Sequence, residues 1–588
     1  MSAQHQLQTA INAALADFDT SGVAPDALQV VPATNPQFGD YQWNGALPLA
    51  KALRQKPREV AQRVLESLDV SATAHTPEIA GPGFLNFRLK TSYLESALDA
   101  ARRDERLGVP QAQQRETFVV DFSSPNVAKP MHVGHIRSTI IGDAIVRLLR
   151  FQGHSVISDN HIGDWGTAFG KIIVGWKTEL DEDNLKSDPI GEMERLYKLI
   201  NERGKADASV EDRARLETAR LQAGDEENLS IWRRVRELSQ AQFDAIYARL
   251  GVSFDATLGE SFYNPRLPGL VDELVAAGVA RESDGAVAIF SDGRVDPKDD
   301  PFLISRDGQW VDFPAIVRKS DGAATYATTD LATLEYRMRE WHPDEIVYVT
   351  DARQASHFRQ VFAAFRRWMP GENALLSHVA FGMVLGEDRQ PLKAREGSAL
   401  KLKDLLDEAE QRALDIVRDK RPDLDETALG HIARVIGIGA VKYADLSQNR
   451  ASDYVFSWDK MLALSGNSAV YLLFAYARVR SIFRVGQERG LDMTLSAPRL
   501  GEPAEIELAK TLLRFDETLV LARQGYRLNL LCDYLYELAG AFSAFFRDCR
   551  VLDAPDDVRS SRLALCDLTA RTLSTGLALL GIKTLEQM

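Results

Sequence analysis

Two histidines and a lysine cluster around one predicted strand-to-helix junction. The stretch HVGH places His132 and His135 on either side of Gly134, and Lys129 precedes them in a proline-containing loop. Free backbone N–H groups and the helix dipole attract phosphate at a helix N-terminus. Imidazoles there could stabilise charge that develops at an α-phosphate, and a glycine lets a flat base approach the backbone. The pattern favours nucleotide chemistry, although a plain helix start with two surface histidines remains an alternative.

The flanking sequence predicts the elements that must position these residues. TFVVDF (117–122) predicts a strand, and apolar positions from Ile136 to Leu149 predict a helix that begins near His132. Gly153 is placed to end that helix, and HSVISD predicts a second strand. This order is typical of a doubly wound α/β sheet, in which ligands lie at the carboxyl ends of the strands.

The rest of the chain predicts three further regions. Residues 1–110 predict a small α+β domain that includes a helix from about Leu47 to Leu68. A charged and mostly helical insertion, with one β-like piece (AVAIFS, 286–291), interrupts the sheet pattern at about 171–320. Strand and helix alternation resumes with ATYATT as a strand and DLATLEYRMREW as a helix, and the C-terminal part is almost wholly helical.

Composition excludes several classes of protein. With 70 basic and 84 acidic residues, the net charge is −14, which argues against a non-specific nucleic-acid coat. No apolar run reaches the roughly 18 to 20 residues that span a bilayer, and the N-terminus lacks the basic start of a secretory signal. The three cysteines are far apart, so we expect neither a disulfide scaffold nor a cysteine zinc site, and a cytoplasmic location fits.

Several stretches resemble the class I aminoacyl-tRNA synthetases, specifically the arginyl-tRNA synthetase family. HVGH, within SSPNVAKPMHVGHIRSTIIGDAIVRLL, is similar to the HIGH motif of that class. The resemblance continues over nearly the whole chain in HIGDWGTAFG, YATTD, YVTDARQASHF, VKYADLSQNRASDYVFSWDKML and LTARTLSTGLALLGIKTLEQM.

The resemblance implies a fold and an activity. It implies a Rossmann-type doubly wound catalytic domain at 115–390 with the inserted helical region, an N-terminal α+β tRNA-binding domain at 1–110, a signature loop with connecting helices at 391–440, and an all-α anticodon-binding domain at 441–588. The family activates L-arginine with ATP and accompanying Mg²⁺ to arginyl-adenylate, releases pyrophosphate, and transfers arginine to the 3′ end of tRNA(Arg). It also implies that activation requires bound tRNA. We expect a monomer without a bound zinc ion.

The resemblance also assigns site residues. Asp121 would face the amino end of the substrate, Tyr326 and Asp330 would read its side chain, and Gln354 would add a contact from the next strand end. The implied arginine-binding set is Asp121, Ser124, Asn126, His132, Tyr326, Asp330 and Gln354. The implied ATP contacts are Lys129, His132, Gly134 and His135, of which Lys129, His132 and His135 would be catalytic.

The chemistry of arginine agrees with this assignment. Guanidinium is planar, always charged and presents five donors, so Asp330 can pair with it through two hydrogen bonds. Gln354 could accept a further bond, and Tyr326 could line the aliphatic stem. Lysine would leave such acceptors unpaired, which favours rejection by a factor of order 10⁴ without an editing domain. The alternatives are a helix cap for Asp330, a strand aromatic for Tyr326 and a solvent-facing helix residue for Gln354.

One loop departs from the pattern of class I enzymes. The KMSKS loop of the class supplies lysines to the pyrophosphate, whereas the corresponding loop here, PLKAREGS (391–398), lacks both lysine positions. Lys393 and Arg395 are then secondary candidates for ATP binding. We hypothesise that Lys129 replaces the missing lysines by neutralising phosphate charge during adenylate formation.

Basic residues in two regions are candidates for tRNA binding. Arg478, Arg480 and Arg484 lie among aromatic residues of one predicted helix, a composition suited to phosphate contact and base stacking. Lys51 and Arg54 belong to a basic stretch of the N-terminal region. A solvated basic face and core aromatics are the alternatives. We expect tRNA affinity to fall as salt is added.

Two other functions stay open at this point. The chain could be another class I synthetase, for example one for cysteine or glutamine, although zinc-binding cysteines are absent. It could also be a catalytically impaired paralogue that binds tRNA, which the loss of the KMSKS lysines would favour. Presenting ATP, total tRNA and each labelled amino acid in turn separates these functions.

Overall fold

The structure is a computed structural model that describes residues 2–390, 392 and 400–588. The chain divides into two compact units. The first contains residues 1–111, 463–578 and 583–588, and the second contains residues 112–462 and 579–582. Within the described residues, no helix is long and apolar enough to cross a membrane.

The N-terminal part of the first unit is a small α+β fold. Its elements are α1 (Ala3–Ala14), β1 (Val30–Pro32), β2 (Tyr41–Trp43), α2 (Ala46–Leu53), α3 (Pro57–Ser67), β3 (Glu78–Ala80), β4 (Phe84–Phe87) and α4 (Thr91–Arg103). The strands pair antiparallel in the order β1-β2-β4-β3. Leu7, Ile11 and Trp43 are buried in the core between helices and sheet.

The single helix predicted from Leu47 to Leu68 is wrong, since α2 and α3 are separate. Arg54 ends α2 in a left-handed conformation with φ of 55°. Pro57 then begins α3, where its missing N–H costs no hydrogen bond. The apolar period alone did not reveal this break.

The second unit contains the nucleotide-binding sheet and its insertion. It begins with β5 (Thr117–Asp121), α5 (Val133–Phe151) and β6 (Ser155–Asp159). The insertion follows with α6 (Ala168–Glu179), α7 (Glu182–Ser187), α8 (Pro189–Ala206), α9 (Ala208–Gln222), α10 (Glu226–Leu250), α11 (Glu260–Tyr263), α12 (Leu267–Ala276), β7 (Arg281–Ser283), β8 (Ala286–Ile289), β9 (Leu303–Arg306), β10 (Gln309–Asp312) and β11 (Ala315–Arg318). The remaining elements are α13 (Tyr326–Trp341), β12 (Glu345–Tyr348), α14 (Ala355–Trp368), β13 (Leu375–His378), β14 (Val384–Leu385), α15 (Leu402–Lys420), α16 (Glu426–Leu446), β15 (Tyr454–Val455) and α17 (Trp458–Met461).

Four parallel strands form the central sheet in the order β13-β12-β5-β6. Their register aligns the last residues of all four strands, which are His378, Tyr348, Asp121 and Asp159. Val119, Val120, Ile346 and Val347 are fully buried, as expected for a sheet covered on both faces. Polar side chains that follow these strands therefore meet at one edge of the sheet.

The insertion contains more β structure than predicted. It is helical as far as Ala276, but β11, β8 and β7 then form an antiparallel sheet, and β9 and β10 form a hairpin. Only the piece around 286–291 was predicted to be β-like. These strands are three or four residues long, too short to display a clear alternation in the sequence.

The strand predicted at ATYATT is also wrong, because α13 begins at Tyr326. Its β-branched and aromatic residues resemble a strand in composition. The hydroxyls of Thr325 and Thr328 instead donate to the carbonyl oxygens of Ile316 and Val317 in β11, which fixes the start of the helix.

The C-terminal part of the first unit is all-α in its regular structure. It contains α18 (Ala469–Glu488), α19 (Pro503–Leu513), α20 (Phe515–Arg523), α21 (Asn529–Asp548) and α22 (Asp556–Leu579). Cys532, Cys549 and Cys566 lie buried in this helical part and are not joined by disulfides. Lys510 of α19 pairs with Asp40 of the N-terminal part at 2.7 Å, within the same unit.

Candidate active site

The two histidines of HVGH cap α5 and hold each other in place. His132 is the N-cap residue, and its Nδ1 accepts a hydrogen bond from the backbone N–H of Gly134 at 3.0 Å. His135 Nδ1 accepts from the backbone N–H of His132 at 3.1 Å. A neutral imidazole that accepts at Nδ1 carries its proton on Nε2. Both rings therefore present an Nε2–H donor.

The surroundings keep both rings neutral. Burial, followed by the adjacent His132, lowers the pKa of His135 to about 3. Burial, followed by the positive charges of Arg353 and Lys129, also lowers the pKa of His132. At physiological pH the pair can donate hydrogen bonds but adds no positive charge.

The position of the His132 ring leaves no room for a side chain at Gly134. A Cβ at this position would lie 2.8 Å from Cε1 of His132, which is too close for a side chain. The glycine thus allows His132 to cap α5. The predicted approach of a nucleotide base to the Gly134 backbone stays a prediction.

Lys129 lies in the loop between β5 and α5. The neighbouring Ala128 has a φ of 62°, and its N–H donates to the hydroxyl of Ser239 in α10 at 3.0 Å. The ammonium of Lys129 lies 5.5 Å from the ring centre of Tyr197 in α8, a cation–π contact. The insertion therefore supports both the loop and its cation.

The described end of the signature loop lies beside HVGH. Val133 donates its backbone N–H to the carbonyl of Leu400 at 3.0 Å, and Leu402 donates to Met131 at 2.8 Å. Lys393 and Arg395, the secondary ATP candidates, lie outside the described residues.

A recess of about 370 Å³ opens at the carboxyl edge of the sheet. Six of the seven predicted arginine contacts line it, whereas His132 is not among its lining residues. The lining residues are Asp121, Ser124, Asn126, His161, Gly163, Glu260, Tyr326, Thr329, Asp330, Tyr348, Thr350, Gln354, His357 and Phe358.

Tyr326 and Asp330 reach the recess from one helix. They are four residues apart in the first turns of α13, a spacing that places two side chains on the same helical face. Tyr326 is 74 % exposed. The carboxylate of Asp330 lies 2.5 Å from Nε2 of His357, in the first turn of α14. Gln354 belongs to a short 3-10 turn that follows β12.

Asp121 is paired within the protein. Its Oδ2 accepts from Arg337 at 2.6 Å, and its Oδ1 accepts from the Ser124 hydroxyl at 3.0 Å. Arg337 is fully buried, also donates to Asp159 at 2.8 Å, and lies 5.2 Å from the ring centre of Tyr348. The guanidinium of Arg337 thus offsets the charge of Asp121, while Asp330 remains the better placed acceptor for a ligand cation.

Glu260 adds a second carboxyl group to the recess. It begins α11, and burial, followed by the charges of Asp164 and Asp330, raises its pKa to about 8. A carboxyl group with this pKa is mostly protonated at neutral pH. A cation placed beside it would favour the ionised form.

The candidate tRNA-binding cations differ in their surroundings. Arg478 is exposed and lies 5.2 Å from the ring centre of Phe474, whereas Arg480 pairs with Glu586 at 2.7 Å. Arg484 is half-buried, and Lys51 and Arg54 are exposed. Their contact with tRNA stays a prediction.

Comparison with known families accounts for most of the chain. The family described as tRNA synthetases class I (R), catalytic domain, matches residues 97–458. The Arginyl tRNA synthetase N terminal domain matches residues 5–89, and the DALR anticodon binding domain matches residues 472–588. The arginine–tRNA ligase of Nostoc punctiforme is 46% identical over 99% of this chain and 98% of its own length. This chain belongs to the arginyl-tRNA synthetase family.

Solved structures of the arginyl-tRNA synthetase family have the same fold. The enzyme from Plasmodium falciparum matches with a TM-score of 0.81 and 28% identity, covering 100% of this chain and 99% of its own. The enzyme from Thermus thermophilus matches with a TM-score of 0.81 and 26% identity over the full length of both chains. The predicted fold class and the family resemblance of HVGH and its neighbours are thereby confirmed.

Eight of the fourteen lining residues were not predicted from the sequence, and they include the acidic Glu260 and the histidines His161 and His357. Glu260 lies in the charged insertion, where one more acidic residue carries no signal. His161 and His357 lie within the recognised stretches HIGDWGTAFG and YVTDARQASHF, but neither was selected. The position of His357 three residues after Gln354 was the available signal, because both follow the same strand.

Proposed function

We propose that this chain is an arginine–tRNA ligase. It converts L-arginine and ATP to arginyl-adenylate and pyrophosphate, and then transfers arginine to the 3′-terminal ribose of tRNA(Arg). The observation that carries the proposal is the acidic recess at the sheet edge that carries HVGH, because it is lined by the carboxylate of Asp330, which His357 contacts at 2.5 Å.

The recess would bind the side chain of arginine. The carboxylate of Asp330 accepts two guanidinium N–H groups, Glu260 lies close enough to respond to the added charge, and Gln354 accepts a further hydrogen bond. The exposed ring of Tyr326 covers the aliphatic stem. An ammonium lacks the planar donor set, so lysine would leave part of this site unpaired.

The start of α5 would bind the triphosphate. The Nε2–H groups of His132 and His135 donate to phosphate oxygens, and Lys129 offsets their charge as the arginine carboxylate attacks the α-phosphorus. A new carboxylate–phosphorus bond forms, and the bond to pyrophosphate breaks. Lys393 and Arg395 are proposed as secondary phosphate contacts. Mg²⁺ would enter with ATP.

The terminal regions would bind tRNA. We propose that the domain at 1–110 contacts the body of the tRNA through Lys51 and Arg54. The helical domain at 441–588 would contact the anticodon through Arg478, Arg480 and Arg484. The monomeric state and the cytoplasmic location stay predictions.

One aminoacylation assay tests this function. The protein is given ATP, total tRNA and each labelled amino acid in turn. We expect arginine alone to be esterified. Esterification of another amino acid would indicate a different class I synthetase, and no esterification would indicate an impaired tRNA-binding paralogue.

A further inference from the structure

The carboxylate proposed to read guanidinium is already occupied. Nε2 of His357 lies 2.5 Å from Asp330, and their side chains are 32% and 18% exposed, respectively. Both line the recess. The ring of His357 packs edge-on against Phe358, with centroids 5.4 Å apart, so its position is supported from its own helix.

The hydrogen bond to Asp330 and the negative charge of Asp330 both favour the protonated form of His357. Burial lowers the pKa of His357, but the hydrogen bond and the negative charge of Asp330 outweigh burial, so its pKa is raised. The imidazolium therefore persists to a higher pH in the empty recess than it would in water. A guanidinium brought to Asp330 removes the cause of that rise.

The other groups around His357 do not offer the same exchange. Burial lowers the pKa of His378, from β13, which keeps it neutral. Burial raises the pKa of Tyr348, from β12, so it stays protonated. Asp121, from β5, is balanced by Arg337. Glu260, from α11, is the second group that holds a proton in the empty recess.

We infer that His357 is a positioning residue for arginine recognition: its Nε2–H orients the carboxylate of Asp330, and an arriving guanidinium displaces the proton that His357 carries. This inference rests on the proposed function of the recess as the arginine side-chain site. Imidazolium and guanidinium would compete for one carboxylate, and only the imidazolium can lose its charge by releasing a proton. Without arginine, the protonated His357 would neutralise Asp330. With arginine bound, the guanidinium would do so instead.

Linkage gives the direction of the pH effect. A proton that leaves on binding makes arginine bind more tightly as pH rises, by at most about tenfold per pH unit. The effect spans the interval between the lowered pKa of His357 in the complex and its raised pKa in the empty recess. Above that interval His357 is neutral in both states, and affinity no longer changes through this residue.

Calorimetry of arginine binding to the full chain tests the inference. Titrations at pH 6, 7 and 8, each in two buffers with different ionisation enthalpies, give the number of protons released. His357→Gln keeps an amide donor near the position of Nε2 but cannot carry the proton. We expect it to bind arginine within about threefold of the wild type at pH 8, and to release fewer protons at pH 6 and 7. His357→Leu lacks both donor and proton, so it should bind arginine more weakly than the wild type at pH 8, where His357 no longer competes, and it should also release fewer protons.

Two further variants separate the possible failures. Glu260→Gln removes the other protonated group, and the proton release that remains should disappear in the Glu260→Gln, His357→Gln double variant. If the wild type releases no proton, or if His357→Gln releases as many as the wild type, the inference is wrong. Asp330→Asn tests the site itself, because unchanged arginine affinity in that variant would show that the recess does not bind the side chain.

Discussion

The histidines at the start of α5 and the histidine at the start of α14 lie at the same edge of the sheet but are held in opposite ways. His132 and His135 accept hydrogen bonds from backbone N–H groups through Nδ1. His357 meets a carboxylate through Nε2. Burial, followed by nearby positive charge at His132 and by the adjacent ring at His135, lowers the pKa of the first two rings. At His357 burial also lowers the pKa, but the hydrogen bond and charge of Asp330 outweigh it and raise the pKa.

The difference shows that the partner, rather than the residue type, decides what a histidine does here. In the proposed function, the phosphate end would use donors whose protonation varies little with pH. The arginine end would use an anion that His357 shields until the substrate arrives. The variants described below test the histidine pair at the start of α5 and the Asp330–His357 pair separately.

The largest effect is expected for Asp330→Asn. This change removes the negative charge that His357 contacts and that the proposed site offers to guanidinium, and it replaces one acceptor oxygen with an N–H donor. We expect kcat/KM for arginine, measured by tRNA-dependent pyrophosphate exchange, to fall by about 10³-fold or more. Glu340→Gln, on an exposed position of the same helix, is the matched control and should keep wild-type activity.

Asparagine variants of the HVGH histidines test whether the rings act as donors or only as caps. His132→Asn or His135→Asn keeps a polar atom near Nδ1 but has no group at Nε2. We expect each to lower the rate of adenylate formation by about 10²-fold to 10³-fold, with little change in the thermal unfolding midpoint. Glutamine at either position should restore part of the rate. Full activity of the asparagine variants would reduce these histidines to capping residues.

Lys129→Ala tests the source of positive charge at the neutral histidine pair. Because those rings add no charge, the ammonium must offset phosphate charge as pyrophosphate leaves. Pyrophosphate exchange should fall by about 10²-fold, and Lys129→Arg should retain most of it. Lys198→Ala, an exposed lysine of α8 near Tyr197 in sequence, serves as the control. Near wild-type exchange in Lys129→Ala would end its proposed role.

The smallest effect is the pH dependence, which distinguishes the two ends of the site in one experiment. His135 has a pKa of about 3 and gains no appreciable proton between pH 6 and 8, and the lowered pKa of His132 reduces its protonation over the same range. The first-order rate of adenylate formation at saturating substrate should therefore be nearly flat. In the Glu260→Gln variant, which lacks the other protonated group of the recess, KM for arginine should rise as pH falls through the raised pKa of His357, by at most about tenfold per unit. A KM for arginine that does not change with pH would contradict the role proposed for His357.

The sequence predicted the site most accurately where one segment carries both the residues and their positions. HVGH follows a buried strand and opens a helix, so its location at the sheet edge follows from local pattern. Asp121 ends the same strand, Ser124 and Asn126 follow it, and all three line the recess as expected. Tyr326 and Asp330 also reached it, although their segment is a helix rather than the predicted strand.

The remaining features depend on contacts between distant segments. Glu260 enters the recess from the insertion, and Arg337 reaches Asp121 from the buried face of α13. The spacing of apolar residues within one segment does not show which charged residue will pair with a residue from a distant segment. The pairing of Asp330 with His357 belongs to the same class, since it joins two helices that follow different strands.

The central claim is that the guanidinium of arginine meets Asp330 in the recess at the sheet edge. A crystal structure of the chain with bound L-arginine tests it most directly. We predict guanidinium N–H groups about 2.7 to 2.9 Å from the carboxylate oxygens of Asp330, with His357 moved or turned from its present contact. Arginine bound elsewhere, with the 2.5 Å contact between Asp330 and His357 unchanged, would contradict the account.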